Sequence, residues 1–431
     1  MRASDVDLGG FWATPDGSIS GVGTGSFQNG RFEVVLYKDQ IPLENLFNPT
    51  LISLPVLHLR NVSNGGSLLD ATNSRTRTGF SGISARTIES HEFIRGIHLD
   101  SRDEPVSKTW TFASTALVPL RLSEMGETIS QIPKRQFSTD QMIISVESTK
   151  TASHSRLESI TRYGHVMTYE TNQELSVGNF LADLAQPTMA LLEICWRRKI
   201  SPETMTMDFQ GNPCEIFSTH LQKNEGDRNF EALTPLIYAE QMDWGKWFSF
   251  CHTHRIVVLL LADLMSGGTG FLQNQLLNVC VVLEDLSRIA NLGTIQQDPN
   301  WIEARDASIG AAEKFGYRDL VSRRLPKTKG KAIRPIENYV IRLVQELDID
   351  LPDPESVGRA ITNTRNPVAH TSLQNGDLEE MFRLVDGATA LSAIGLFKIV
   401  FGDEIARQVA KRVNDQLVEL GHVASKMDAR S

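Results

Sequence analysis

Cysteine is scarce in this sequence. Only Cys195, Cys214, Cys251 and Cys280 occur in 431 residues, with no Cys-x-x-Cys pair and no zinc-type spacing. That excludes a disulfide scaffold and points to ordinary buried thiols in a reducing compartment. Long apolar runs are lacking too. The longest, Ile256 to Ala262, is stopped by Asp263 and is far too short to span a bilayer. The first residues, MRASDVDLGGFW, have no apolar signal-peptide core. The expectation is a cytoplasmic protein with no membrane partner. Excess positive charge is also missing: 43 Lys and Arg stand against 52 Asp and Glu, a net charge of −9. A chain that coats itself in nucleic acid through a general positive field is thereby excluded, and any such contact has to be local. What is present is an ordinary globular composition, 41% apolar and 22% charged, at a length that suggests two to three domains.

From Phe11 to about Val177 the chain is dense in Ser, Thr, Gly and Asn and carries short β-type segments, such as Arg31 to Tyr37 and Met142 to Val146. Turn signals at Asp16-Gly17, Asn29-Gly30 and Asn64-Gly65-Gly66 separate such segments and predict an antiparallel β domain. Phe180 to Arg197 reads either as a helix broken near Pro187 or as a mixed element. Beyond Trp244 the apolar residues recur three and four apart. This predicts helices over Trp247 to Met265, Gly270 to Ala290, Ile336 to Leu347, Glu355 to Asn363, Leu378 to Val400 and Asp403 to Val423. The expected fold class is α+β, with a β-rich N-terminal domain over residues 1–240 and an all-α helical bundle over 241–431. Neither an internal repeat nor a coiled-coil heptad pattern is found.

Several segments invite a functional reading that their context does not sustain. Gly21-Val22-Gly23-Thr24-Gly25 lacks the Gly-Lys-Ser/Thr of a phosphate loop and is followed by a strand, so a strand turn or bulge is expected there. Cys251-His252-Thr253-His254 offers three metal ligands in four residues. On a helix, however, positions two apart diverge by about 200°, and no second cluster matches it. No metal and no cofactor are expected. His58, His91, His98, His154 and His165 are scattered and read as surface or packing residues.

The stretch from Lys314 to Arg334 is different. Lys314, Arg318, Arg323, Arg324, Lys327, Lys329, Lys331 and Arg334 face the single acid Asp319, a net +7 that leaves −16 for the rest of the chain. Pro326, Gly330 and Pro335 suggest a loop between helices. It is either a solvated loop or a strip that neutralises backbone phosphates through Arg323, Arg324, Lys327, Lys329, Lys331 and Arg334.

The sharpest signal is Arg365-Asn366-Pro367-Val368-Ala369-His370. A histidine titrates near neutral pH and can take the proton of a ribose 2′-hydroxyl or give one to the leaving 5′-oxygen. An arginine presents a planar, permanently charged fork to a phosphate whose charge grows in the transition state. Residues five apart in an unbroken helix lie about 140° from each other, so Arg365 and His370 do not converge on one phosphate from one face. Pro367 is expected to break the helix, with Asn366 capping a new one. The alternative is that two chains pool their pairs in a composite site.

These residues resemble the Arg-x4-6-His signature of HEPN domains, helical bundles common among ribonuclease toxins and defence effectors, in which Asn often follows the Arg as Asn366 does here. The helix Gly270 to Ala290 resembles the early HEPN helix that carries an acidic residue, which matches Glu284. The resemblance covers roughly residues 245–425. The opening Gly10-Phe11-Trp12-Ala13-Thr14-Pro15-Asp16, with the glycine-punctuated strands after it, is similar to the N-terminal domain of ApeA-type anti-phage proteins. The resemblance implies a metal-independent endoribonuclease, dimeric or higher, that cuts RNA during phage infection, with transfer RNA one candidate substrate. The N-terminal domain would sense a phage-derived trigger or restrain the nuclease. Catalysis would fall to Arg365, Asn366, His370 and Glu284. Two other readings stay open: a non-catalytic HEPN scaffold or ligand-binding protein with a structural Arg/His pair, and a carbohydrate- or protein-binding β domain using Trp12 and Trp110.

Overall fold

A computed structural model describes residues 8–16, 19–28, 31–37, 53–60, 65–78, 84–114, 134–154, 159–221, 233, 243–268, 270–290, 299–325, 335–369 and 378–429. The fold is α+β, as expected: a β-rich N-terminal region precedes a helical C-terminal one. The chain divides into two compact units, Met1–Thr253 and His254–Ser431. This boundary lies later than the 240/241 division expected from periodicity, because the helix Trp244–Thr253 (α3) belongs to the N-terminal unit.

In the N-terminal unit, strands β1 (Gly10–Ala13), β2 (Ser20–Gln28), β3 (Arg31–Tyr37), β4 (Ser53–Arg60), β5 (Gly66–Thr78) and β6 (Ser84–Ser90) pair in the order β1-β2-β3-β6-β5-β4. The β1–β4 and β4–β5 pairings close the ring, so these strands form an antiparallel barrel with no free edge. Its interior holds Leu8, Trp12, Phe32, Val34, Leu36, Leu57, Leu59, Leu68, Ile88 and Phe93. The glycine run of β2 is neither a turn nor a bulge but a regular strand, and its inward positions are glycine because the opposite side chains fill the space. A Cβ on Gly23 would stand 2.8 Å from Leu36, and one on Gly25 would stand 2.5 Å from Leu8.

Past the barrel the same sheet continues through β5. β6 and β7 (Glu92–Arg95) both pair with β5, but β6 has β3 on its other side while β7 has β13 (Asn212–Ser218). At this switch Asp70 adopts φ 47°, and the Ser90 hydroxyl accepts the Glu92 N–H at 3.0 Å. Arg102 grips the buried Glu92 carboxylate with two bonds of 2.7 Å and lies 3.6 Å from Asp70. From β7 the sheet continues through β13, β12 (Thr204–Phe209), β8 (Pro105–Ala113), β11 (Ser159–Ser176), β10 (Met142–His154) and β9 (Arg135–Ser138).

Two helical elements cover this sheet. Phe180 to Arg197, for which sequence left two alternatives open, is helical: α1 (Val177–Asn179) runs through a π-helical turn at Phe180–Ala185 into α2 (Gln186–Trp196). The wide turn lets the chain pass Pro187 without a break, since proline has no N–H for the ordinary ladder. Phe180 stacks on Trp110 at 4.5 Å, Tyr169 and Thr188 share a 2.6 Å hydroxyl contact, and Trp247 of α3 donates its indole N–H to the Pro187 carbonyl at 3.1 Å.

The C-terminal unit comprises α4 (Arg255–Met265), α5 (Leu272–Ile289), α6 (Pro299–Glu313), α7 (Arg318–Arg324), α8 (Pro335–Leu347), α9 (Pro354–Ala369), α10 (Leu378–Phe401), α11 (Asp403–Arg412) and α12 (Asn414–Asp428). α10 is the axis of the bundle and packs on α4, α5, α11 and α12. It is long and apolar enough to cross a membrane, but 78% of its apolar window is buried within the fold. Such a buried core helix meets the same criterion as a span and is compatible with a protein that has no membrane. Two helices expected as continuous are divided, at His254 between α3 and α4 and at Val413 between α11 and α12.

Candidate functional site

α9 carries the residues that drew attention in the sequence. Asp353 starts it by accepting the Ser356 N–H at 3.2 Å, and hydrogen bonding from the Ser356 side chain is the main influence holding the Asp353 carboxyl below its ordinary value. Pro354 follows at the first helical position, where its missing N–H costs nothing. Val357, Ala360, Ile361 and Thr364 form the buried stripe, and the absence of a side chain at Gly358 lets α9 lie directly against the backbone of Glu337 in α8.

The helix does not end where expected. It continues through Asn366 and Pro367 to Ala369, so Pro367 neither breaks α9 nor starts a new helix, and Asn366 is not a cap. The packing of α9 against α8, α5 and α12 holds the helix together against the local preference of the residue before a proline. Arg365 and Asn366 therefore both lie on the last turns of α9, while His370 falls outside the described residues. With the helix unbroken up to the residue before His370, α9 does not supply the one-chain geometry that a proline break was expected to permit.

Glu284 lies on α5, partly exposed, with its carboxylate 3.9 Å from Arg288, whose guanidinium also pairs with Asp285 at 2.6 Å. α5 touches α9 through Cys280, whose thiol lies 3.8 Å from the Ile361 carbonyl. Glu284 is one turn along α5 from that contact, and Arg365 is one turn along α9 from it.

The basic stretch is only partly described. Arg323 and Arg324 close α7, so the part of the stretch from Arg318 to Arg324 is a helix rather than the loop expected. Lys327, Lys329, Lys331 and Arg334 lie outside the described residues. Sequence periodicity showed no sign of α6, because its apolar residues follow no single face, and from Glu303 to Leu325 none of the described side chains is buried.

Trp12 and Trp110 are fully buried, Trp12 inside the barrel and Trp110 under Phe180, so neither can serve as a surface contact for a ligand. The outward aromatic face of the barrel lies elsewhere: Phe11, Val22 and Tyr37 are exposed and stand side by side across β1, β2 and β3 in the registers Phe11↔Val22 and Val22↔Tyr37. Period-two alternation, with Gly21 and Gly23 inward and Val22 outward, is the sequence signal for this ladder.

In Cys251-His252-Thr253-His254, Cys251 is buried at the end of α3 while His252 and Thr253 are exposed, as divergence around a helix requires. The histidines of the β unit are not all isolated. The rings of His58 and His98 meet at a tilt with centroids 4.7 Å apart, and those of His91 and His220 at 4.2 Å. His58 bonds the Leu99 carbonyl at 2.9 Å and His91 bonds the Thr219 hydroxyl at 2.7 Å. Burial, together with the neighbouring imidazole of His220, pushes His91 below its ordinary value, and burial with His58 does the same to His98.

Compared with family models, with curated proteins and with solved structures, the chain matches none.

Proposed function

We propose that this chain is a metal-independent endoribonuclease of the HEPN type that acts in the cytoplasm as a homodimer or higher homo-oligomer in anti-phage defence. The reading rests on the chemistry of Arg365, Asn366 and His370. The observation that supports it best is that Arg365 and Asn366 ride the final turns of a core helix, α9, that crosses the helix bearing Glu284. In the proposed reaction His370 takes the proton of a ribose 2′-hydroxyl, and the 2′-oxygen attacks the adjacent phosphorus. The bond from phosphorus to the 5′-oxygen breaks, and that oxygen receives a proton from an imidazolium. The products are a 2′,3′-cyclic phosphate and a 5′-hydroxyl. Arg365 neutralises the charge that builds on the phosphate, Asn366 orients the backbone around it, and Glu284 steadies the cation or the imidazole.

The continuity of α9 favours the composite form of this site, in which two copies each lend an Arg365/His370 pair and one imidazole acts as base while the other acts as acid. The test is sequencing of RNA ends after inducing wild type and His370→Ala side by side. New 2′,3′-cyclic phosphate ends are expected with wild type alone and in the presence of EDTA. Full cutting by a folded His370→Ala protein would overturn the proposal.

The same continuity also favours a second reading, a bundle whose Arg365 and His370 diverge and serve structure alone. Mixing wild-type protein with an excess of folded His370→Ala protein separates the two. Subunit exchange in a composite site leaves each mixed dimer one imidazole short and lowers RNA cutting below that of the wild type alone, whereas a structural pair leaves the wild-type cutting undiminished.

A further inference from the structure

We infer that the elbow between α6 and α7 is a stacking platform for unpaired RNA bases, an inference that rests on the ribonuclease reading and specifies its substrate as single-stranded. The elbow is built as a left-handed helix cap. Gly316 sits at φ 75°, the Tyr317 N–H returns to the Ala312 carbonyl at 3.0 Å, and the Gly316 N–H returns to the Glu313 carbonyl at 3.1 Å. Arg318 ties the start of α7 to Glu313 at 2.8 Å. These bonds determine the backbone where two aromatic residues stand out in water: Phe315 is 76% exposed and Tyr317 62% exposed, with Leu320 at 61% one turn further along α7.

An apolar cluster of this kind is unusual on a pair of helices that bury none of their described side chains between Glu303 and Leu325. Helix pairs draw most of their stability from a buried face, so this arm presents its aromatic tip to an occupant outside the bundle. Charge decides which occupant. Lys314 and Arg318 flank the two rings, and the sequence from Lys314 to Arg334 holds eight cations against Asp319 alone. Alternating cations and exposed rings match a single strand, whose phosphates meet the cations while its bases lie flat on the rings. Duplex RNA keeps its bases stacked inside and offers nothing to Phe315 and Tyr317.

The experiment uses the full-length protein and a labelled 20-nucleotide 2′-O-methyl RNA, which cannot be cut for lack of a free 2′-hydroxyl, in single-stranded and duplex form. Fluorescence anisotropy over a salt series reads affinity, and sedimentation velocity reads oligomeric state. Phe315→Ala and Tyr317→Ala should each weaken single-strand binding roughly 5- to 150-fold, the range for losing one base–aromatic stack. Duplex binding and the salt slope should be unchanged, because stacking releases no counterions. Phe315→Tyr and Tyr317→Phe should restore affinity. Wild-type affinity in both alanine variants overturns the inference while leaving the ribonuclease reading intact. So does a loss of affinity that comes with dissociation of the oligomer, which would assign the rings to a second copy of the chain. Absence of RNA cutting by the wild type overturns the ribonuclease reading, and this inference with it.

Discussion

Single side chains hold the strand switch of the N-terminal unit together. Burial pushes the Glu92 carboxyl up against the pull of Arg102, so the pair holds only while both partners are present. Arg102→Ala should cost about 3 kcal/mol, the lower end for breaking a buried pair because the guanidinium is partly solvated. Urea unfolding checks this, and a change below about 0.5 kcal/mol, typical of surface sites, would count against it. The paired histidines give the same unit an acid limit. His91 and His98 have folded-state values depressed below the ordinary histidine value, so the unfolded chain binds protons first. Their contribution is intact above about pH 6.5 and is lost as the pH falls through their lowered values. A double His91→Gln, His98→Gln protein should show a shallower decline of melting temperature between pH 7 and pH 5 than wild type. An unchanged slope would place the acid sensitivity elsewhere.

At the scale of elements, the barrel and the bundle both depend on close approach. The glycines of β2 were visible in the sequence, but their reason was not, since Gly23 and Gly25 are small because Leu36 and Leu8 arrive from other parts of the chain. Gly358 has the same role in α9, where α8 passes directly over it. Gly358→Ala should destabilise the protein by about 1–3 kcal/mol through overpacking, although alanine is the better helix former. A gain in melting temperature would show that the α8–α9 crossing yields. Strand β3 and the helices α5, α8 and α10 were legible because periodicity reports a one-sided burial that local sequence encodes. α6 was not, because a helix without a buried face leaves no periodic trace. Pro367 was misread for the opposite reason: the packing of α9 against three neighbours outweighs a local preference against helix.

For the whole molecule, the separation of charge matters most. A net charge of −9 opposes nonspecific RNA binding, while the eight cations from Lys314 to Arg334 concentrate attraction in one stretch of the sequence. Replacing Lys327, Lys329 and Lys331 together by Ala should weaken RNA binding and lower the slope of log affinity against log salt by about 2, close to 0.7 for each single-strand phosphate no longer neutralised. An unchanged slope would make the strip a bystander. The outer ladder Phe11, Val22 and Tyr37 gives the β unit an exposed apolar stripe where the buried Trp12 and Trp110 cannot act.

Residue type and spacing were enough to establish the class of fold and the order of its two parts. These depend on neighbours within one element, which local physics encodes. Long-range packing was needed to establish that the first six strands close on themselves, that α3 belongs with the sheet, that α9 runs unbroken through Pro367, and that Phe315 and Tyr317 stand in water. Each of these depends on what arrives from a distant part of the chain, or fails to arrive. No window of neighbouring residues contains that information.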